Sequence, residues 1–167
     1  MSSFIVVGYF GLSSGRRLHS DVTRADGSTA AIWHVYYDTC LMCSGSPTLP
    51  AELRKYSTVN DAILVDDTVA FVVAKAFIPP GNLPGNVLLD AFHVVPMSGD
   101  PSSEDYEAHL PDFPLHLVFA LGTVTAPHET LPGGMVTFPL LLSEHVRGSM
   151  RESILQYVFV FIFTRCF

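Results

Sequence analysis

Between Lys75 and Arg147 the chain has no lysine and no arginine. The same interval holds Asp90, Asp100, Glu104, Asp105, Glu107, Asp112, Glu129 and Glu144, and the whole chain carries a formal charge of −7. Nucleic-acid binding takes most of its affinity from cations set against phosphates. A half-chain of acids without cations therefore disfavours nucleic acid as a partner. Proline is missing from the first 46 residues, and all 12 prolines fall from Pro47 onward. That shift sets residues 1–46 apart as an N-terminal extension, with Ser44-Gly45-Ser46-Pro47 as the joint. Cysteine is scarce and odd in number, three in all. This argues against a disulfide framework and for a reducing, intracellular location, cytoplasmic or nuclear. No run reaches the roughly 18 apolar residues of a membrane helix. Ser3 to Phe10 is apolar but lacks the basic flank and cleavage site of a signal peptide.

Charge is low altogether, 15% of residues, against about 25% in an average soluble domain. Apolar residues make up 49% and the mean hydropathy is +0.35. Such a chain either buries most of its length or keeps apolar surface for a partner, another protein or a second copy of itself.

The apolar residues are arranged as strands. Asp66 to Val95 reads as two runs rich in Val, Phe, Ile and Leu, joined by the turn formers Pro79 to Asn86, a β-hairpin. In the first run Val69, Phe71, Val73, Lys75 and Phe77 share one face, while Ala70, Val72, Ala74, Ala76 and Ile78 share the other. A small-residue face suits a tight barrel or a strand covered on both sides. Further strands are expected over Leu115–Ala126 and Met135–Leu142, with Pro139 marking an edge or a bulge. Phe4–Phe10 and Ala31–Tyr37 are strand-like as well, with Arg16–Ser28 between them as loop or a short irregular helix. Thr48–Tyr56 carries a capping residue, an early proline and a basic end, which are helix signals. Ser143–Glu152 is expected to form a helical turn or two. Met97–Pro114 is an acidic loop, long enough to be functional or disordered. The tail, residues 158–167, is read either as an innermost strand or as foreign to the fold. Roughly five strands with one or two short helices fit a small barrel of the OB type over residues 47–157, with a β-sandwich as the alternative.

Four local patterns could carry chemistry. Cys40-Leu41-Met42-Cys43 spaces two thiols for zinc or redox work, but no second ligand pair follows, and two small buried residues are the simpler reading. Gly11-Leu12-Ser13-Ser14-Gly15 matches a serine-nucleophile elbow, with His19 or His34 as base, although no helical stripe follows it. Asp90 and His93 are three apart, which on a strand sends them to opposite faces. The acids of the long loop lack the order of a calcium loop. No metal site and no cofactor is expected.

Leu89-Asp90-Ala91-Phe92-His93, Ser98 to Tyr106 and Ala120-Leu121-Gly122-Thr123-Val124 resemble segments of uncharacterised proteins of mushroom-forming (basidiomycete) fungi. The likeness covers Asp66 to Tyr157 and implies an OB-like domain. The sequence thus favours a non-catalytic barrel module, acidic and intracellular, that binds a protein partner or itself. Asp100, Glu104, Asp105 and Tyr106 would supply the charged contacts, and the barrel face the apolar ones. Single-stranded nucleic acid on Lys75, Phe71 and Phe77 is the second reading, and a serine hydrolase the third.

Overall fold

The structure is a computed structural model that describes residues 2–42, 48–80, 85–112, 115–132 and 134–159. Strand pairing defines a closed barrel. Strands β1 (Ser3–Thr23), β2 (Thr29–Leu41), β3 (Leu49–Ser57), β4 (Thr68–Phe77) and β5 (Val87–Pro96) follow the order β1-β2-β3-β5-β4. β4 pairs back onto β1 from Ile5↔Lys75 to Leu12↔Thr68, which closes the ring. Every pairing is antiparallel except β3–β5, which is parallel from Ala51↔Val87 to Lys55↔Ala91. A five-stranded barrel of this order is the OB fold.

β1 can serve both neighbours because it changes partner midway. Its first part runs beside β4, and from Ser13 onward it pairs with β2. The changeover falls at a register shift between Ser13 and Arg16, where Ser14 adopts a positive φ of 54°. Such a bulge bends a strand sharply enough to turn a barrel corner.

The inward residues follow from period-two alternation. Phe4, Val6, Phe10 and Leu12 of β1, Ala70, Val72, Ala74 and Ala76 of β4, and Leu53 and Leu89 are all at most 1% exposed. The alanines of β4 give the barrel its narrow bore, as the sequence pattern indicates. The two ends are plugged differently. At one, Tyr37 Oη accepts the Leu64 N–H at 3.0 Å and holds the 58–67 crossing in place, while Tyr106 Oη accepts the Val69 N–H at 3.0 Å. At the other lies the hairpin of β9 (Val136–Val146) and β10 (Ser149–Phe159), which adds Leu140 and Leu142 to the core. Each such leucine contributes about 1.5–3 kcal/mol of burial. β7 (Thr123–Val124) and β8 (Glu129–Thr130) pair along β9 on either side of Pro139. β6 (Leu117–Leu121) pairs with residues 3–7 of β1.

The seam left on β1 between its β6 and β2 pairings is bridged by a side chain. Met42 N–H donates to His116 Nδ1 at 3.2 Å, so the other ring nitrogen carries the proton and faces the Tyr9 carbonyl at 3.1 Å. The ring lies 4.1 Å from that of Phe10, and a Cβ on Gly8 would stand 2.5 Å from His116 Cδ2. Only glycine leaves room for the imidazole there.

Several expectations are corrected by this pairing. The closed barrel is drawn from residues 3–96, not 47–157: β1 and β2, expected as an extension over 1–46, are two of its five staves. Arg16–Thr23 is strand rather than loop. Thr48–Tyr56 is not helical, because Leu49–Ser57 alternates Ala51, Leu53 and Ser57 inward and pairs on both sides. Ser143–Glu152 is not helical either; it holds the β9–β10 turn at Arg147-Gly148, with φ of 58° and 81°. Two positive φ values are what a tight two-residue hairpin turn demands. Pro139 lies in a strand that is central to its small sheet, between β10 and β7, and not at an edge. The only helical element among the described residues is one 3-10 turn, Glu107–His109. Of the tail, residues 158 and 159 pair within β10, and 160–167 lie outside the described residues.

Candidate nucleic-acid interface

Outward residues of β2, β3 and β5 build one continuous face. Register sets Tyr36 beside Arg54 and His34 beside Tyr56, then Arg54 beside Asp90. In β5 a bulge opposite Val73/Ala74 leaves Phe92 as the extra residue, so its ring is exposed on the sheet rather than buried. His34 meets Tyr56 and Tyr36 edge-on, with ring centroids 6.2 and 6.4 Å apart. The result is an open groove of about 250 Å³ lined by His34, Arg54, Tyr56, Lys75, Phe92 and His145, among others.

Four cations from distant parts of the chain converge here. Arg16 comes from β1, Arg54 from β3, Lys75 from β4 and Arg147 from the β9–β10 turn. Each is held by a carboxylate. Arg54 is bidentate on Asp90 at 2.8 and 2.6 Å. Arg147 donates to Glu52 Oε1 at 2.8 Å and to the Glu52 carbonyl at 3.0 Å, its own backbone N–H reaches Asp90 at 2.7 Å, and its Nε stands 3.1 Å from that carboxylate. Arg16 bridges Asp38 and Glu52. Lys75 pairs with Glu144 at 2.9 Å. Bidentate geometry of this kind fixes a guanidinium in place. Arg147 lies over the Tyr36 ring at 5.0 Å, Arg16 over the same ring at 6.0 Å, and Lys75 over Phe92 at 5.9 Å, within cation–π range.

Two groups of the face are held below their ordinary values. Burial pushes His34 down, and the neighbouring Arg54 and Arg147 push it further, against an opposing pull from Asp90; the imidazole is neutral at pH 7. Burial alone would raise Glu144, but Lys75 and the backbone N–H groups of His145 and Phe4 outweigh it and hold the carboxyl below its usual value.

The residues singled out from the sequence separate. Lys75 belongs to the face. Phe71 and Phe77 point outward from the same strand, but Phe71 packs edge-on against Tyr9 at 5.5 Å and Phe77 lies under Arg151 at 5.2 Å. Tyr106 is a buried plug, 4% exposed, and so is not free to meet a partner. Asp100 caps its own turn through Ser102, and Glu104 and Asp105 are exposed on the same loop. Ser13 sits in a strand that continues past it, donating to the Asp38 carbonyl; no helix follows and the elbow geometry is absent. His19 stacks on Trp33 at 4.7 Å, and His34 lies in the aromatic face, so neither faces Ser13. Cys40 is a half-buried free thiol, while Cys43 lies outside the described residues. Among the described residues no three His, Cys, Asp or Glu side chains converge to hold a metal, and no helix is long and apolar enough to cross a membrane. Asp90 and His93, expected on opposite faces, lie on the same outward face, because the bulge at Phe92 shifts the alternation so that they pair with Lys75 and Val73; Asp90 joins the ion pairs and His93 is exposed.

Sequence reasoning missed Arg16 and Arg54 as members of one site with Lys75, and the aromatics Tyr36 and Tyr56. The outward alternation of Tyr36, Arg54 and Tyr56 was the available signal.

No protein-family model matches the chain, and no curated protein does. Among solved structures it is similar to the single-stranded DNA binding protein of Thermus aquaticus, at 14% identity and a TM-score of 0.47, over 93% of this chain and 73% of that one. A deletion mutant of the same protein, carrying R190A, gives 14% identity and 0.44, over 93% and 75%. The OB assignment stands on the strand order alone.

Proposed function

We propose that this OB barrel binds a single strand of nucleic acid across the outer face of β2, β3 and β5, chiefly by stacking. The observation that carries the reading is the aromatic row of His34, Tyr36, Tyr56 and Phe92, set among Arg54, Lys75 and Arg147. In this fold the β2–β3 face is the oligonucleotide-binding surface. Stacking one base on an aromatic ring is worth about 1–3 kcal/mol and tolerates any sequence. The cations favour the same ligand, since each already has a fixed orientation and lies at the rim of the rings. Their four carboxylates, Asp38, Glu52, Asp90 and Glu144, balance them, so phosphates compete with carboxylates for each site.

That balance gives the reading its distinctive consequence. Single-strand binding loses affinity with salt at a slope of about −0.7 per phosphate neutralised. With every cation paired, the slope here is about −1 or shallower, far from the steep dependence of a basic groove. The test is fluorescence anisotropy with labelled oligothymidine and oligouridine over a salt series. Tyr56→Ala and Phe92→Ala, both exposed side chains, are each expected to weaken binding about tenfold. Absence of binding at low salt, or binding indifferent to both substitutions, rejects the reading.

A further inference from the structure

We propose that β6 is a self-association edge, through which two copies of this chain pair antiparallel and join their six-stranded sheets into one. β6 ends the strand order; it pairs with β1 on one side and, among the described residues, with no strand on the other. An edge strand leaves a row of backbone donors and acceptors ready for another strand. Folded proteins blunt such edges with lysine, proline or a bulge, and Leu117-Val118-Phe119-Ala120-Leu121 has none of these. Leu117 is 48% exposed, Val118 53%, Phe119 58% and Leu121 55%. Residues of both faces are thus bare, so a partner must cover the strand along its edge and on either side.

The occupant follows from charge and symmetry. Residues 115–127 contain no Lys, Arg, Asp or Glu, so in a chain of net charge −7 two copies can meet here without opposing like charges. A charged partner finds nothing to pair with. Antiparallel pairing is also isologous, offering each copy the same row of residues in the same order. Phe119, the middle residue, then faces its counterpart across the two-fold axis. Beside the strand, a cleft of about 350 Å³ between β6 and β10 is lined by Ser3, Ile5, Val118, Phe119, Leu121 and Tyr157, and it receives the side chains of the second copy. Exposed Leu115 and Val124 extend the apolar surface along the same uncharged stretch.

Sedimentation velocity of the full chain over a wide concentration range tests this. The mass is expected to rise from the 18.2 kDa of one chain to twice that value. Phe119→Lys and Phe119→Glu change an exposed side chain, so each is expected to keep the wild-type circular dichroism and to weaken dimerisation at least tenfold. Mixing the two variants is expected to restore the dimer, because the new charges oppose each other at the axis. A wild type that stays monomeric overturns the proposal, as does dimerisation unchanged in both variants. A mixture that stays monomeric overturns the symmetric register. Because oligonucleotide binding uses a different face, its loss or retention leaves this result unaffected.

Discussion

The face of β2, β3 and β5 and the edge strand β6 belong to one sheet, yet they treat polarity in opposite ways. On the face, four cations and four carboxylates interlock with aromatic rings between them. On the edge, large apolar side chains stand in solvent without a charge in reach along 13 residues of sequence. The face spends its polar groups on one another, which fixes its shape. The edge pairs with β1 on its inner side, and among the described residues no strand pairs with its outer side. A rigid, neutralised surface suits a ligand recognised by flat rings, while a bare strand suits another strand.

The sharpest way to break this comparison is to remove the node of the charged face. Arg147→Ala strips Glu52 and Asp90 of the guanidinium they share and leaves each with one arginine, Arg16 and Arg54 respectively, both carboxylates being at most about a quarter exposed. Removing one partner of a buried pair costs about 3–5 kcal/mol; partial exposure brings the expected loss to about 2–3 kcal/mol, read as a fall in the urea midpoint at constant m. Phe119→Ser on the edge, measured on the monomer, is expected to change stability by less than about 0.5 kcal/mol. If the two costs are equal, the edge is part of the monomer's own packing and the contrast fails.

The next test separates rigidity from affinity. Asp90→Asn keeps one acceptor oxygen, sets an NH2 donor against the N–H groups of Arg54 and Arg147, and removes a charge that competes with phosphate. Oligonucleotide affinity is expected to rise roughly fivefold and the salt slope to steepen, while stability falls. Unchanged or weaker affinity would mean that the arginines serve the fold alone.

These contrasts were only partly legible in the sequence. Alternation in β4, with alanines on one side, gave the strand and a small-residue face that suited either a tight barrel or a strand covered on both sides. The same rule applied to Ala51, Leu53 and Ser57 gives β3, but the capping signals of Thr48 and Pro50 pointed to a helix. Pairing on both sides overrides such local preferences. The closing contact of β1 with β4 could not be read, because it depends on a bulge at Ser13–Arg16 that no glycine–asparagine turn announces. The gap in cations between residues 75 and 147 was real along the chain and misleading in space. β3 and β4 both flank β5, and the Arg147 turn folds over them, so Arg54, Lys75 and Arg147 surround Asp90. Linear charge patterning reports on neighbours in sequence, whereas a barrel with a parallel β3–β5 pair makes neighbours of residues far apart.

The smallest effect, and the one that sharpens the comparison most, is the response to acid. His116 and His34 are both held below the ordinary imidazole value, about 6.5, chiefly by burial, His116 despite its two backbone contacts. The unfolded chain therefore binds protons more readily, and stability is expected to fall as pH drops from about 6.5 toward the folded values. Below about 4.5 Glu144 adds its own loss, since protonation ends its pairing with Lys75. His116→Gln removes one source of the upper decline and His34→Gln another; neither should touch the loss below about 4.5. The two sites differ in what else the proton does. At His34 it adds a cation to the aromatic groove, so oligonucleotide affinity is expected to rise only once pH has fallen below 6.5, toward the lowered folded value, and this rise should vanish in His34→Gln but persist in His116→Gln. At His116 it sets a second donor against the Met42 N–H and opens the seam between β1, β2 and β6. A double variant that still loses stability between about pH 6.5 and 5 would place the proton on another group and break the assignment of the seam to a neutral imidazole.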